Sequence, residues 1–302
     1  MKKLYVLFFL FLVHISIFAQ KSIDVVLTNE IPVKNIYRDA KVLFFKDILF
    51  LMMQYDYSVL YFDGNSLVST GIPKIKEGIN WYDTVIYCGK TKELDKLIYK
   101  VCDYQTGKIH YGYELLVNKD NNSVDIIERD EAFFLKEGEE QFLDGLRPYK
   151  FFDIYGNSIL YTSEYNISAN SSTESLTLYS SDSTFIKEFV DVTNNAKFLS
   201  YAVNDKMTKV VLLYNTSSNE GKIQIFSLTY DGVINDTRVR LRSKPNLNSE
   251  VLGFLNTGDK LKVVDWSNEK QKIGGMEAYW YKVESENYPD GWVYGKYVDI
   301  VE

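Results

Sequence analysis

"KLIYKVCDYQTGKIHYGYELLV", residues Lys96 to Val117, sets the reading of the larger part of this chain. Apolar and polar side chains alternate on both sides of a polar break near Gly107, a period of two that fits strands rather than helices. The same signature recurs in "SVLYFDGNSLV" (58–68), "SILYTSEYNIS" (158–168), "SLTLYSSDSTF" (175–185) and "KVVLLYNTSSNEGKIQIFSLTYDGVI" (209–234). Asp63-Gly64 and Asp231-Gly232 carry the dipeptide favoured in hairpin turns. Only Glu128 to Phe142 has the Glu, Ala, Leu and Lys content of a short helix. The chain therefore reads as nearly all β.

Turn signals near Asp63, Gly107, Gly156 and Asp231 are spaced by about 44, 49 and 75 residues. The first two gaps suit a four-stranded propeller blade, and the third needs a displaced turn. The expectation for residues 20–236 is an antiparallel β domain, propeller-like or a sandwich. A propeller of four or five blades fits Lys21 to about Val233.

The first residues stand apart from this pattern. Lys2 and Lys3 precede an apolar run from Leu4 to Phe18, and Ala19-Gln20 offers a small residue at a cut. That is the anatomy of a signal peptide over residues 1–19, too short for a spanning helix. It predicts an exported protein, periplasmic or extracellular, with no stable membrane span after cleavage. Without Lys2 and Lys3, 32 basic side chains face 41 acidic ones, a net of about −9. The excess falls before Thr237, so the main region lacks the clustered Lys and Arg of a nucleic-acid surface, and no nucleic-acid partner is expected.

Cys88 and Cys102 are the two cysteines of the chain. A hairpin of 84–88 on 96–102 sets Cys88 opposite about Ile98 and Cys102 opposite about Thr84, too far apart along the ladder to bridge. Two buried, unbridged thiols are expected.

Near the C-terminus the pattern changes at "DGVINDTRV", and residues 237–302 read as a second, small domain. "TRVRLRSKPNLNSEVLGFLNTGDKLKVV", then "YWYKVE" and "DGWVYGKYVDIV", resemble the bacterial SH3 (SH3b) family in its own order. Val239, Leu241, Arg242, Ser243 and Pro245 match the opening strand and turn, with Lys244 where the family commonly has glycine. Val251, Leu252, Gly253, Gly258 and Asp259 match the next step; Trp280, Tyr281 and Val283 the middle strand; Gly291, Trp292, Val293 and Tyr297 the closing strand. The resemblance implies a small SH3-like β-barrel that binds a cell-wall peptide or glycan, or an envelope protein. It makes Trp280, Trp292, Tyr294 and Tyr297 the ligand-binding candidates. In "YWYKV", Tyr281 and Val283 share one face and Trp280 and Lys282 the other. With Tyr281 and Val283 filling the barrel, Trp280 is expected at or near the surface. The stretch Trp266 to Ala278 exceeds the family's minimal loop, and flanks or shields one end of the groove.

Signals for catalysis are poor. His110 is the one histidine beyond the leader, and no G-x-S-x-G, H-E-x-x-H or phosphate-cradling glycine loop occurs. Glu137, Glu139 and Glu140 form the densest carboxylate cluster, in a stretch that suits a solvated helix end. "NKDNNSVDIIER" starts like a calcium loop but has Ser123 for the glycine and Arg129 for the bidentate glutamate, so an Asn-rich turn is expected. No catalytic residue, metal site or cofactor is assigned. The leading reading is an exported, non-enzymatic binding protein. The alternatives are an envelope hydrolase using two carboxylates with the SH3b domain as its targeting module, and a tail that only packs on its own body.

Overall fold

The computed structural model describes residues 23–36, 40–53, 58–73, 76, 79, 84–91, 95–136, 150–166, 171–190, 196–217 and 219–301. The signal-peptide segment and Glu137, Glu139 and Glu140 lie outside the described residues.

The first strand, β1 (Ile23–Lys34), is set aside until the end of the ring. β2 (Lys41–Phe45), β3 (Ile48–Met53), β4 (Ser58–Phe62) and β5 (Leu67–Ser69) form a four-stranded antiparallel sheet in chain order. β6 (Thr84–Lys90), β7 (Leu97–Asp103), β8 (Ile109–Asn118) and β9 (Ser123–Arg129) form the next. The short helix α1 (Glu131–Lys136) follows, its start capped by the Asp130 carboxylate, which accepts the Phe133 N–H at 2.9 Å. β10 (Lys150–Phe152), β11 (Ser158–Asn166), β12 (Ser171–Tyr179) and β13 (Phe185–Glu188) make the third sheet. The fourth has β14 (Lys197–Val203), β15 (Lys209–Asn215) and β16 (Glu220–Ile234), and β1 supplies its outer strand, in register from Ile23 opposite Tyr230 to Lys34 opposite Glu220.

Four meander sheets with the last closed by the first strand are the arrangement of a four-bladed propeller, not of a two-sheet sandwich. The packing agrees. Leu43, Phe45, Phe50 and Met52 point to the second sheet, packing with Leu97, Tyr99 and Leu115. Val42, Phe44, Leu49 and Leu51, the alternate set on the same strands, pack with Val211, Leu213 and Ile223 of the fourth. The fourth sheet uses its other face against the third, where Ile159, Leu176 and Leu178 meet Tyr201, Leu212 and Leu228. A sheet clamped on both faces buries every residue, which is why "ILFLMM" of β3 is apolar throughout. Truncating any one of these leucines to alanine costs about 2–5 kcal/mol.

Three expectations are corrected here. Asp231-Gly232 is no turn: both residues lie inside β16, paired with Lys262 and Leu261. A side-chain carbon at Gly232 would sit 2.7 Å from Leu261 Cδ1 and 2.9 Å from Val298 Cγ1, so glycine is there for close packing. The apparent blade spacing also mixed unlike turns, since Asp63 ends β4, Gly107 ends β7 and Gly156 ends β10. The cysteine hairpin is offset by one from the expected register, with Cys88 opposite Tyr99 and Cys102 opposite Val85, and the two buried thiols are not bridged.

The chain goes on through β17 (Val239–Arg242), β18 (Val251–Leu255), β19 (Lys260–Trp266), the hairpin β20 (Gln271–Ile273) and β21 (Met276–Ala278), β22 (Trp280–Glu284) and β23 (Gly291–Tyr294). A 3-10 turn at Gly295–Tyr297 leads to β24 (Val298–Ile300). These strands run β16-β19-β22-β23-β17-β18, with β24 also on β16, around a core of Val239, Leu241, Leu261, Val263, Val283 and Val293. The far end of β16, Tyr230 to Ile234, is thus a strand of this small domain as well as the continuation of a propeller blade.

Candidate functional site

The rings of the small domain fall into two groups. Trp280 is 2% exposed, which corrects its expected surface position. The alternation is as read: Val283 is in the core and Trp280 is on the opposite face. That face is not solvent, because the β20–β21 hairpin folds back over it. Gln271 Oε1 accepts the Trp280 indole N–H at 2.8 Å, and the Trp280 ring meets Tyr294 edge-on at 5.5 Å. Tyr294 is buried too, its hydroxyl 2.7 Å from the Gln271 carbonyl and 2.8 Å from that of Met276. The one trace of this hairpin in the sequence is Gly274-Gly275, both with positive φ at its turn. Trp292, opposite Lys282 on the same outer face, and Tyr297, whose ring is 6.2 Å from Tyr294, remain half-buried.

A second constellation joins the small domain to the propeller. Buried Tyr230 of β16 donates its hydroxyl to the Asp153 carboxylate in the β10–β11 turn. Asp153 also accepts the Tyr155 N–H at 2.8 Å, the Asn157 N–H at 2.9 Å and the Asn157 side-chain amide at 2.7 Å. The Tyr155 ring lies tilted against Tyr230 at 4.9 Å and meets Trp266 edge-on at 6.2 Å. Burial, with the nearby carboxylate, pushes the Tyr230 phenol well above its ordinary range; burial, with the Tyr281 hydroxyl next, does the same to Tyr155. Around this apolar knot, the Lys206 ammonium lies 2.9 Å from Asp265 Oδ1 and donates to the Trp266 carbonyl, while Lys262 bridges Asp24 and Asp231.

Beside the knot lies a cavity of about 460 Å³. Its wall takes Lys46 and Asp47 from the β2–β3 turn, Lys90 from the end of β6, and Asp205 and Lys206 from the β14–β15 turn. The β10–β11 turn adds Phe152, Asp153 and Ile154, and the small domain adds Trp266, Ser267, Asn268 and Tyr279. All four blades and the small domain therefore meet at one mouth, a convergence that no local stretch of sequence announces. Lys119 Nζ is 2.7 Å from Asp47 Oδ2 and Lys90 Nζ is 3.3 Å from Asp205 Oδ1. Burial works to raise the Asp47 pKa, but the hydrogen bond and charge of Lys119, helped by Asn204, outweigh it and hold the carboxyl below its usual range.

The remaining motifs are not brought together. His110 is exposed on β8, whereas Cys88 is buried in the core between the first two sheets. Asn118, Asp120 and Asn122 form the β8–β9 turn, with the Asn118 side chain accepting the Asp120 N–H at 3.0 Å and Asn122 at φ 49°. Among the described residues no group of three His, Cys, Asp or Glu side chains is placed to hold a metal ion, and no helix is long and apolar enough to cross a membrane.

The fold thus defines a propeller that carries a small SH3-like domain on one of its blade strands. Residues 237–299 match the family model of the bacterial SH3 domain, and the C-terminal region is such a domain. The N-terminal region has no family match, and no curated protein matches the chain. Bacterial SH3 domains are binding or cell-wall-targeting modules found in cell-envelope or exported proteins. The propeller-borne strand Tyr230 to Ile234 lies before the matched segment.

Proposed function

We propose that this is an exported, non-enzymatic binding protein, periplasmic or extracellular, whose SH3 domain docks on a cell-envelope peptide, glycan or protein. The observation that carries this reading is the half-open outer face of the domain. The hairpin seals Trp280 and Tyr294, while Trp292 keeps part of its ring in solvent beside exposed Lys282 and Tyr297 keeps part of its ring in solvent next to Tyr294. Amphipathic rings with a polar neighbour suit sugar faces and peptide backbones. The contact residues are Trp292 and Tyr297, with Trp280 and Tyr294 as their support.

The alternative is a carboxylate-based hydrolase. The carboxylates at the mouth fit it poorly, since Asp47 is held by Lys119 and Asp153 accepts four hydrogen bonds. A lowered Asp47 pKa suits an ion pair better than a general acid. Co-sedimentation of the chain from residue 21 with purified cell wall tests the binding reading. Trp292→Ala with Tyr297→Ala should abolish sedimentation while the variant stays folded, with a lowered unfolding midpoint because Tyr297 packs against the domain core; Trp280→Ala should cost about 3–5 kcal/mol of stability. Undiminished sedimentation by the folded Trp292/Tyr297 double variant refutes the assignment.

A further inference from the structure

We infer that the cavity at the propeller mouth is a second binding site, distinct from the outer face of the SH3 domain, for a small carboxylate-bearing ligand with a ring or aliphatic body. Its size, about 460 Å³, falls in the range of small-molecule sites, and its walls come from both parts of the protein. The chemistry of the lining sets the ligand class. In a chain with an excess of acidic residues, four lysines gather here: Lys46, Lys90, Lys119 and Lys206.

Two of them are committed at close range, Lys119 to Asp47 and Lys206 to Asp265. Lys90 meets the largely exposed Asp205 only at 3.3 Å. Lys46 pairs with no carboxylate among the described residues; its ammonium stands 5.2 Å over the Phe45 ring. Lys46 and Asp47 form a two-residue turn with φ of 48° and 64°, a backbone that lysine rarely adopts. A ligand carboxylate pairs with the exposed Lys46 ammonium and draws Lys90 from its loose contact. Phe152 and Ile154, 58% and 37% exposed, line the same cavity and offer an apolar shelf for the body of the ligand. Trp266 and Tyr279 line the cavity as well. Asp153, the third carboxylate of the lining, is saturated by Tyr230, Tyr155 and Asn157 and does not compete for Lys46.

A carboxylate on such a body can belong to an acidic peptide or an acidic sugar, and matched probes separate the two. Ligand-observed NMR on the chain from residue 21 would compare N-acetyl-Phe-Glu-amide with its Gln counterpart, and N-acetylmuramic acid with N-acetylglucosamine. The expected result is that at least one acid binds ten times or more tighter than its neutral match, and the pair that shows it names the source. Lys46→Asn, which removes the charge yet suits the left-handed backbone, should lower that affinity at least fivefold without lowering the melting temperature. Equal binding of acid and neutral probe in both pairs overturns the proposal. So does Lys46→Asn with unchanged affinity.

Discussion

Replacing Tyr230 with phenylalanine removes one oxygen from the knot that holds the SH3 domain on the propeller. The ring stays, so the contacts to Tyr155 and Trp266 are preserved. What is lost is the donor to Asp153, a hydrogen bond to a charged acceptor, for which about 1.5–3 kcal/mol is typical. Asp153 keeps two backbone N–H groups and the Asn157 amide, so it is not stranded. The expected cost is therefore near the middle of that range, about 2 kcal/mol. Urea unfolding followed by tryptophan fluorescence measures it. A double-mutant cycle with Asp153→Asn isolates the pair, and the coupling should be about 1 kcal/mol or more. The pH dependence carries an independent sign. A phenol raised in the folded state favours folding below its unfolded pKa and loses that contribution as pH climbs above about 10. Tyr230→Phe should flatten the alkaline loss of stability. A cost below about 0.5 kcal/mol, with no coupling to Asp153, would mean that the knot is packing alone.

Two further outcomes follow from the shared strand and the mouth. A segment of residues 237–302 lacks Tyr230 to Ile234, the partners of β19 and β24, and should show collapsed amide dispersion by NMR, whereas residues 228–302 should show a folded spectrum; a folded 237–302 segment would remove β16 from the account of the small domain. Loss of the ion pair at Asp47 should make Lys119→Met less stable than the parent near neutral pH but less acid-sensitive. In the parent the lowered Asp47 pKa contributes stability that is in place above about pH 4 and is lost as pH falls through the folded value; without Lys119, burial works against the charged carboxylate, that contribution shrinks or reverses, and the stability gap between the two proteins closes as pH falls. Parallel melting-temperature curves for the two proteins between pH 3 and 7 would contradict this.

Period-two patterning was enough to identify an all-β chain and the hairpin of β6 and β7, to within one residue of register. It was not enough for β2 and β3, whose two buried faces erase the alternation that marks a strand. Asp231-Gly232 misled because a glycine needed for close packing looks the same in sequence as one needed for a turn. The SH3 domain was legible because its residues lie in order over a short span. Trp280 was misplaced because a face that points away from one core can still be covered by a nearby hairpin. Nothing local marks β1 as the partner of β16, some two hundred residues away, nor the mouth where four separate turns meet.

The pairing of β16 has one more consequence. Along one edge it carries β1 and then β24, with Ile23 opposite Tyr230 and Ile300 opposite Gly232; along the other it carries β15 and then β19. The start and finish of the described fold are thus laid end to end, two rungs apart on a single strand. The protein is topologically close to a ring, and a short peptide bridging those ends would let the chain be reopened at a surface turn such as Gln105 to Lys108 with every ladder intact. Which residue comes first is, for this architecture, a matter of genetic punctuation rather than of geometry.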